Sequence, residues 1–189
     1  MKCFPEERLL KGWRVLKRRY LLKRWWMNIR VDHVQLPSGK ELPEFHVIEY
    51  PDWACVLCIT TDHRVVLVRQ YRHALGAITY ELPAGAINTG EPPLEAARRE
   101  LLEETGYASE HWTLLGRCAP EPSKHAHFAH LFIAKEAEQV QQPAYDDSED
   151  IQYCLVSVQE LLRMANTGQI MHGVHLATIF WAVYRGVLR

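Results

Sequence analysis

The 189-residue chain is long enough for one domain with a sizeable core, or one domain and an arm. It is 48% hydrophobic and 24% charged, without the Gly or Pro excess of collagen-like or disordered chains. Its formal net charge of -1 hides an asymmetry: residues 1–30 carry ten Lys/Arg against two acids, so a basic arm precedes an acidic body.

Residues 6–26, EERLLKGWRVLKRRYLLKRWW, place Leu9, Leu10, Trp13, Leu16 and Tyr20 near helical spacing, with Gly12 as a flaw. From Tyr20 on the segment reads equally well as extended. We expect an amphipathic arm that packs on its own domain or on a second subunit. Lys/Arg interleaved with tryptophan also suits nucleic acid, and the same amphipathicity suits a membrane surface. Five apolar residues in register ask for burial, so packing is favoured over both, and neither nucleic acid nor membrane is expected as a partner. No apolar run approaches the length of a membrane span.

From Met27 the period changes to alternation. Strands are predicted at 28–36, 45–50, 54–60, 65–72 and 78–82, punctuated by Pro37-Ser-Gly39, Pro51-Asp52 and Thr61–Arg64. After the central stretch, further strands are predicted at 112–119, 129–134 and 151–156, with residues 136–150 an acidic polar loop. Helices are predicted over 158–167, stopped by Gly168, and from about Val174 to Tyr184. The fold class is α+β, a mixed sheet with helices on both faces, with residues 1–50 as arm and N-terminal strands and 51–189 as the main domain.

Five cysteines (Cys3, Cys55, Cys58, Cys118 and Cys154) are an odd number with no evident secretory signal before them, so a reducing, cytoplasmic compartment is expected. Cys55 and Cys58 fall in the apolar run 53–59. In a strand, side chains three apart point to opposite faces, so two buried thiols are expected rather than a redox or zinc pair.

The chemistry concentrates in residues 85–107, GAINTGEPPLEAARRELLEETGY. Pro92-Pro93 suit the first turn of a helix, and Gly106 sits where a left-handed stop belongs. At about 100° per residue, Glu100 and Glu104 stack one turn apart and Glu103 lies beside them. Ala96 falls on the same face and leaves room, while Leu94, Ala97 and Leu101 form the docking face. Arg99, one turn before Glu103, can brace it. The alternative is a solvated acidic face with a weak surface ion pair. Three carboxylates on one face call for a hard cation, and magnesium takes carboxylate oxygen while keeping several waters. Leu82-Pro-Ala-Gly-Ala86 brings bare backbone close, which makes the Ala84 carbonyl a further candidate ligand.

The spacing Gly85, Glu91, then Arg99-Glu-Leu-Leu-Glu-Glu-Thr-Gly-Tyr107 resembles the Nudix box, G-x5-E-x7-R-E-U-x-E-E-x-G-U, at every fixed letter; Tyr107 is a looser match to its last apolar position. Arg69-Gln-Tyr-Arg72, Glu81-Leu-Pro-Ala-Gly85 and the Gly168 segment resemble the ADP-ribose pyrophosphatase branch. The resemblance implies an α/β/α sandwich with N-terminal strands. It implies Glu100, Glu103, Glu104 and the Ala84 carbonyl as metal groups, for Mg2+ with Mn2+ as a substitute. Arg99 would orient the carboxylates and Glu91 would stand behind them. Catalytic work would fall to Glu103, Glu104 and a base from the acidic loop, Glu149 first and Asp147 second.

Arg72 is a candidate for binding the diphosphate, with a strand-end surface arginine as the alternative. Glu81 is a candidate acceptor for a ribose or base edge. Pro122, sixteen positions past Gly106, matches a substrate-loop proline of the branch, but Ser123 stands where a glycine is usual. Lys124, His125, His127 and His130 are read as loop and strand residues near phosphate or sugar rather than a second metal centre. Phe45, Tyr50 or Trp26 would stack on the base, and the arm would belong to a homodimer. The implied reaction splits ADP-ribose or a related nucleoside diphosphate sugar into nucleoside monophosphate and sugar phosphate. Dinucleoside polyphosphates, GDP-mannose, oxidised dNTPs and a non-catalytic ADP-ribose sensor are the alternatives.

Overall fold

The computed structural model describes residues 10–144 and 150–188, in two compact units: residues up to Tyr50 with Glu121–Ala126, and Pro51–Pro120 with the chain from His127 on. In the first unit, β1 (Arg14–Lys23), β2 (Asn28–Gln35) and β3 (Glu41–Glu49) form a three-stranded antiparallel sheet.

The arm's helical spacing is therefore carried by a strand over Arg14–Lys23, so the extended alternative, expected from Tyr20 on, starts earlier, at Arg14. The helical spacing has a physical cause. The β1–β2 register skips Leu16 and again Leu21, so two bulges break the period of two and leave an apolar spacing that imitates a helix. Leu9 and the residues before it lie outside the described residues. Buried Asp32 accepts from Arg18 Nε at 2.8 Å and also pairs with Arg30. Ile48 N donates to Lys124 O, and Ala126 N to Ile48 O, both at 2.9 Å, which fastens the 121–126 segment to β3.

The second unit has a mixed sheet. Its strands are β4 (Trp53–Thr60), β5 (Arg64–Arg72), β6 (Ala77–Glu81), β7 (Ala84–Ala86), β8 (Tyr107–Ala108), β9 (His111–Cys118), β10 (Ala129–Gln139) and β11 (Ile151–Ser157). The central order is β11-β5-β4-β10-β8, with β4 parallel to β10 and antiparallel to β5. β6, β7 and β9 pair with β5, β4 and β10. Helix α1 (Pro93–Thr105) covers one face, α2 (Val158–Asn166) and α3 (Gly173–Tyr184) the other.

β4 is an unbroken apolar run because both its faces are buried. Ala54, Val56 and Cys58 join Ala96, Ala97 and Leu101 of α1; Cys55, Leu57 and Ile59 join Leu161 of α2 and Ile179 of α3. The two thiols point to opposite sides, and burial pushes each up to about 12. Leu57, Leu67, Leu131 and Leu161 are wholly enclosed, each contributing roughly 1.5–3 kcal/mol. Ala96, expected beside the carboxylates, belongs to this core instead.

Two further differences concern strands. β10 runs on to Gln139, where a polar loop was expected. Glu136 takes φ 52 and the register jumps from Ala134 to Ala137, so the resumed strand lost its alternation signal. β7 is three small residues whose strand character comes from pairing with β4, not from their own preference. Among the described residues no helix is long and apolar enough to cross a membrane.

Candidate active site

α1 starts where the sequence says. Pro92 caps in extended conformation, Pro93 fills the first turn, and Gly106 closes the helix at φ 74 with its N–H on Leu102 O. A Cβ on Gly106 would stand 2.0 Å from Gln141 O, so both the turn and the neighbour require glycine.

Docking through Ala97 and Leu101 turns Arg99, Glu100 and Glu104 toward the loop that follows β6. Arg99 spends all five donors there. Nε and Nη2 hold Glu91 in a fork at 2.9 and 3.0 Å, Nη2 also donates to Ala86 O at 2.9 Å, and Nη1 donates to Glu100 at 2.7 Å and Glu103 at 3.1 Å. This pairing holds Glu91 down to about 2, helped by the Asn88 N–H and opposed by desolvation. The same partners hold Arg99 firmly protonated.

Glu104 is buried and accepts from Ala84 N at 3.0 Å. Glu100 lies against Gly85: a Cβ there would come within 2.0 Å of its carboxyl carbon. Only a bare backbone leaves this carboxylate its seat. Glu103 is more open, its side chain 46% exposed.

A cavity of about 630 Å³ opens here, lined by Gln70, Tyr71, Arg72, Ala84–Ala86, Glu100, Glu104, Asp150 and Ile151. Arg72 Nε and Nη2 grip Glu81, whose second neighbour is Thr79 Oγ1 at 2.6 Å. Glu81 is 2% exposed and does not line the cavity. Expected as a ribose or base acceptor, it instead holds Arg72. Desolvation works to raise its pKa, but the bonds from Arg72 and Thr79 outweigh it and bring it to about 2.

The other expected residues are placed as follows. Glu149 and Asp147 lie outside the described residues; Asp150, next in the chain, lines the cavity. Pro122 is exposed in a turn of the first unit and is not among the cavity's lining residues. His125 packs edge-on to Tyr50 in the first unit, and His130 Nε2 meets Asp52 at 3.0 Å in the second. Among the described residues no three Asp, Glu, His or Cys side chains converge closely enough to define a cation site by themselves. Among the groups that line the cavity, the Glu100, Glu104 and Asp150 carboxylates and the Ala84–Gly85 carbonyls are hard oxygen donors. That donor set fits a divalent cation that keeps waters, with Glu103 one turn away. Sequence reasoning missed Arg99's grip on Glu91, which needs the path of the 87–92 loop, and the cavity position of Asp150.

Comparison with known proteins identifies the family. The NUDIX domain matches residues 50–173, and the nucleoside diphosphate sugar hydrolase N-terminal domain matches residues 13–48. The chain belongs to the Nudix hydrolase family, in its nucleoside diphosphate sugar branch. The ADP-ribose pyrophosphatase of Bacillus subtilis (strain 168) is 28% identical to it over 145 residues, 76% of this chain and 78% of that one. The methanol dehydrogenase activator of Bacillus methanolicus is 33% identical over 138 residues, 72% and 74% of the two chains. A solved ADP compounds hydrolase superposes with a TM-score of 0.82 at 16% identity, over 95% of this chain and 96% of that one, a likeness of fold.

Proposed function

We propose that the protein hydrolyses the diphosphate of ADP-ribose or a closely related nucleoside diphosphate sugar, giving nucleoside monophosphate and sugar phosphate. The observation that carries this reading is one cavity lined by both carboxylate-bearing backbone contacts, Glu100 at Gly85 and Glu104 at Ala84, and by a cationic Arg72. The relative named ADP-ribose pyrophosphatase supports the base and sugar.

Glu100, Glu104 and the Ala84 carbonyl would hold Mg2+, or Mn2+ in its place, with Glu103 as a further ligand or as the group that orients water. The bound cation supplies charge neutralisation on the diphosphate oxygens and a more acidic water. Arg72 keeps Nη1 clear of Glu81 and directs it at phosphate, while Arg99 fixes the spacing of Glu91, Glu100 and Glu103. Glu149, with Asp147 second, is the candidate general base.

Trp13, Val15, Leu16, Tyr20, Leu21, Trp25 and Trp26 are all exposed in the first unit, which supports a homodimer built through that sheet. Arg14, Arg18 and Arg19 are engaged by Gln35, Asp32 and Glu44, which argues against nucleic acid as their partner. Free Cys55, Cys58, Cys118 and Cys154 support a reducing, cytoplasmic setting.

The test is a magnesium-dependent panel of ADP-ribose, GDP-mannose, UDP-glucose, diadenosine polyphosphates and oxidised dNTPs. ADP-ribose should be hydrolysed with the highest kcat/KM. Turnover of none, with ADP-ribose still bound, would replace this reading with a sensor.

A further inference from the structure

Leu82, Ala84 and Ala86 lie on the short stretch that leaves β6, bends at Pro83 and becomes β7, and each is held by a side chain from a helix. Ala86 O accepts from Arg99 and Ala84 N donates to Glu104, both on α1. Leu82 N donates to His175 Nδ1 at 3.1 Å, ninety-three residues away on α3 and from the opposite face of the sheet. Between these points Pro83 has no N–H to give, and its carbonyl accepts from Val56 N at 2.9 Å.

His175 is 1% exposed. Its ring stacks on His172 at 4.4 Å and leans on Trp53 at 5.8 Å. Because Nδ1 accepts, the ring proton sits on Nε2, and that N–H is buried with no acceptor among the described residues. For packing alone, an apolar side chain would serve this site better than a ring with an unmade bond. What the imidazole adds is an acceptor for Leu82. Burial, then the neighbouring His172, hold its pKa down to about 3 against the opposite pull of Glu81, so the acceptor persists at physiological pH.

We propose that His175 is a positioning residue of the active site, whose imidazole fixes residues 82–86 from behind the sheet and so sets the Ala84 and Gly85 backbone against Glu104 and Glu100. The proposal rests on the cation-assisted hydrolase reading above. A fold-only role would let any filler of similar volume stand in; a positioning role demands an acceptor at the δ position.

His175→Leu and His175→Asn separate the two, since Asn Oδ1 stands close to where Nδ1 was. Three measurements apply: amide exchange at Leu82 in metal-free protein, Mn2+ binding by electron paramagnetic resonance, and kcat and KM for ADP-ribose. In His175→Leu, Leu82 protection and Mn2+ affinity should each fall about tenfold, and kcat about tenfold at nearly constant KM. His175→Asn should restore most of each. Wild-type Mn2+ affinity in His175→Leu, or equal losses in both variants, would overturn the proposal. If His175→Leu does not fold, His175→Gln, whose oxygen stands one bond too far out, takes its place with the same expectations. His172→Asn removes the stacked ring but keeps an acceptor for Val174 N at the start of α3 and leaves the Leu82 bond; a Mn2+ loss equal to that of His175→Leu would assign the effect to packing and overturn it too. If the wild type hydrolyses nothing in the panel, the function falls, while exchange and Mn2+ binding still decide the role of His175.

Discussion

Arg72 lines the cavity, Arg99 holds two groups that line it, Glu100 and the Ala86 carbonyl, and the two treat their donors in opposite ways. Arg99 is saturated by three carboxylates and a carbonyl, so it has nothing left to offer a ligand. Arg72 commits one edge to a single buried carboxylate and keeps its side chain 43% exposed, with Nη1 unclaimed by any described residue. One guanidinium braces the carboxylates; on the proposed function the other meets what enters the cavity. The contrast lies in their pairing, although both residues are arginines held by glutamates.

The sharpest test leaves both arginines intact. Glu104→Gln keeps an oxygen for the Ala84 N–H, so thermal unfolding should hardly move while kcat/KM falls about a thousandfold or more. Near-normal turnover would break the site assignment.

Next, Arg99→Ala should lower stability by about 2 kcal/mol in urea unfolding, because three part-buried carboxylates lose their common partner. Arg99→Lys restores charge but not the fork on Glu91 and should recover only part of it. Substitution of Arg72 by Lys should act differently, raising KM about tenfold with a smaller effect on kcat.

Glu81→Gln sharpens the contrast through pH. The folded pKa of about 2 lies below the ordinary carboxylate value, so the unfolded chain binds more protons between them. The stabilisation from Glu81 is full above about pH 4.5 and is lost as pH falls through about 2. It amounts to something on the order of 3 kcal/mol. Unfolding measured at pH 5 and pH 3 should show a shallower acid slope in Glu81→Gln than in the wild type. The smallest effect is expected in the first unit: Leu21→Glu, in the half-exposed bulge of β1, should weaken the proposed homodimer about tenfold in sedimentation with activity per folded site retained.

Much of this architecture is local and therefore legible in the chain. β4 announces two-sided burial by its unbroken apolar run, and α1 by Pro93, Gly106 and the spacing of its glutamates. What escaped depends on partners distant in sequence. The bulges at Leu16 and Leu21 exist only relative to β2, and β7 is a strand only because β4 lies beside it. Glu81 looked available for a ligand because nothing in its neighbourhood of sequence shows Arg72 closing over it. His175, ninety-three residues from Leu82, had no local signal at all.

Gly85 gives the site an evolutionary hair-trigger. The glycine is not needed for a special backbone angle; it is needed because the Glu100 carboxylate occupies the volume that a Cβ would take. A single added methyl group would leave β7, its ladder to β4 and the core beneath untouched, yet evict one carboxylate from the cavity. On the proposed chemistry, descendants of this chain can pass from hydrolase to binding protein in one step that the rest of the fold would never register.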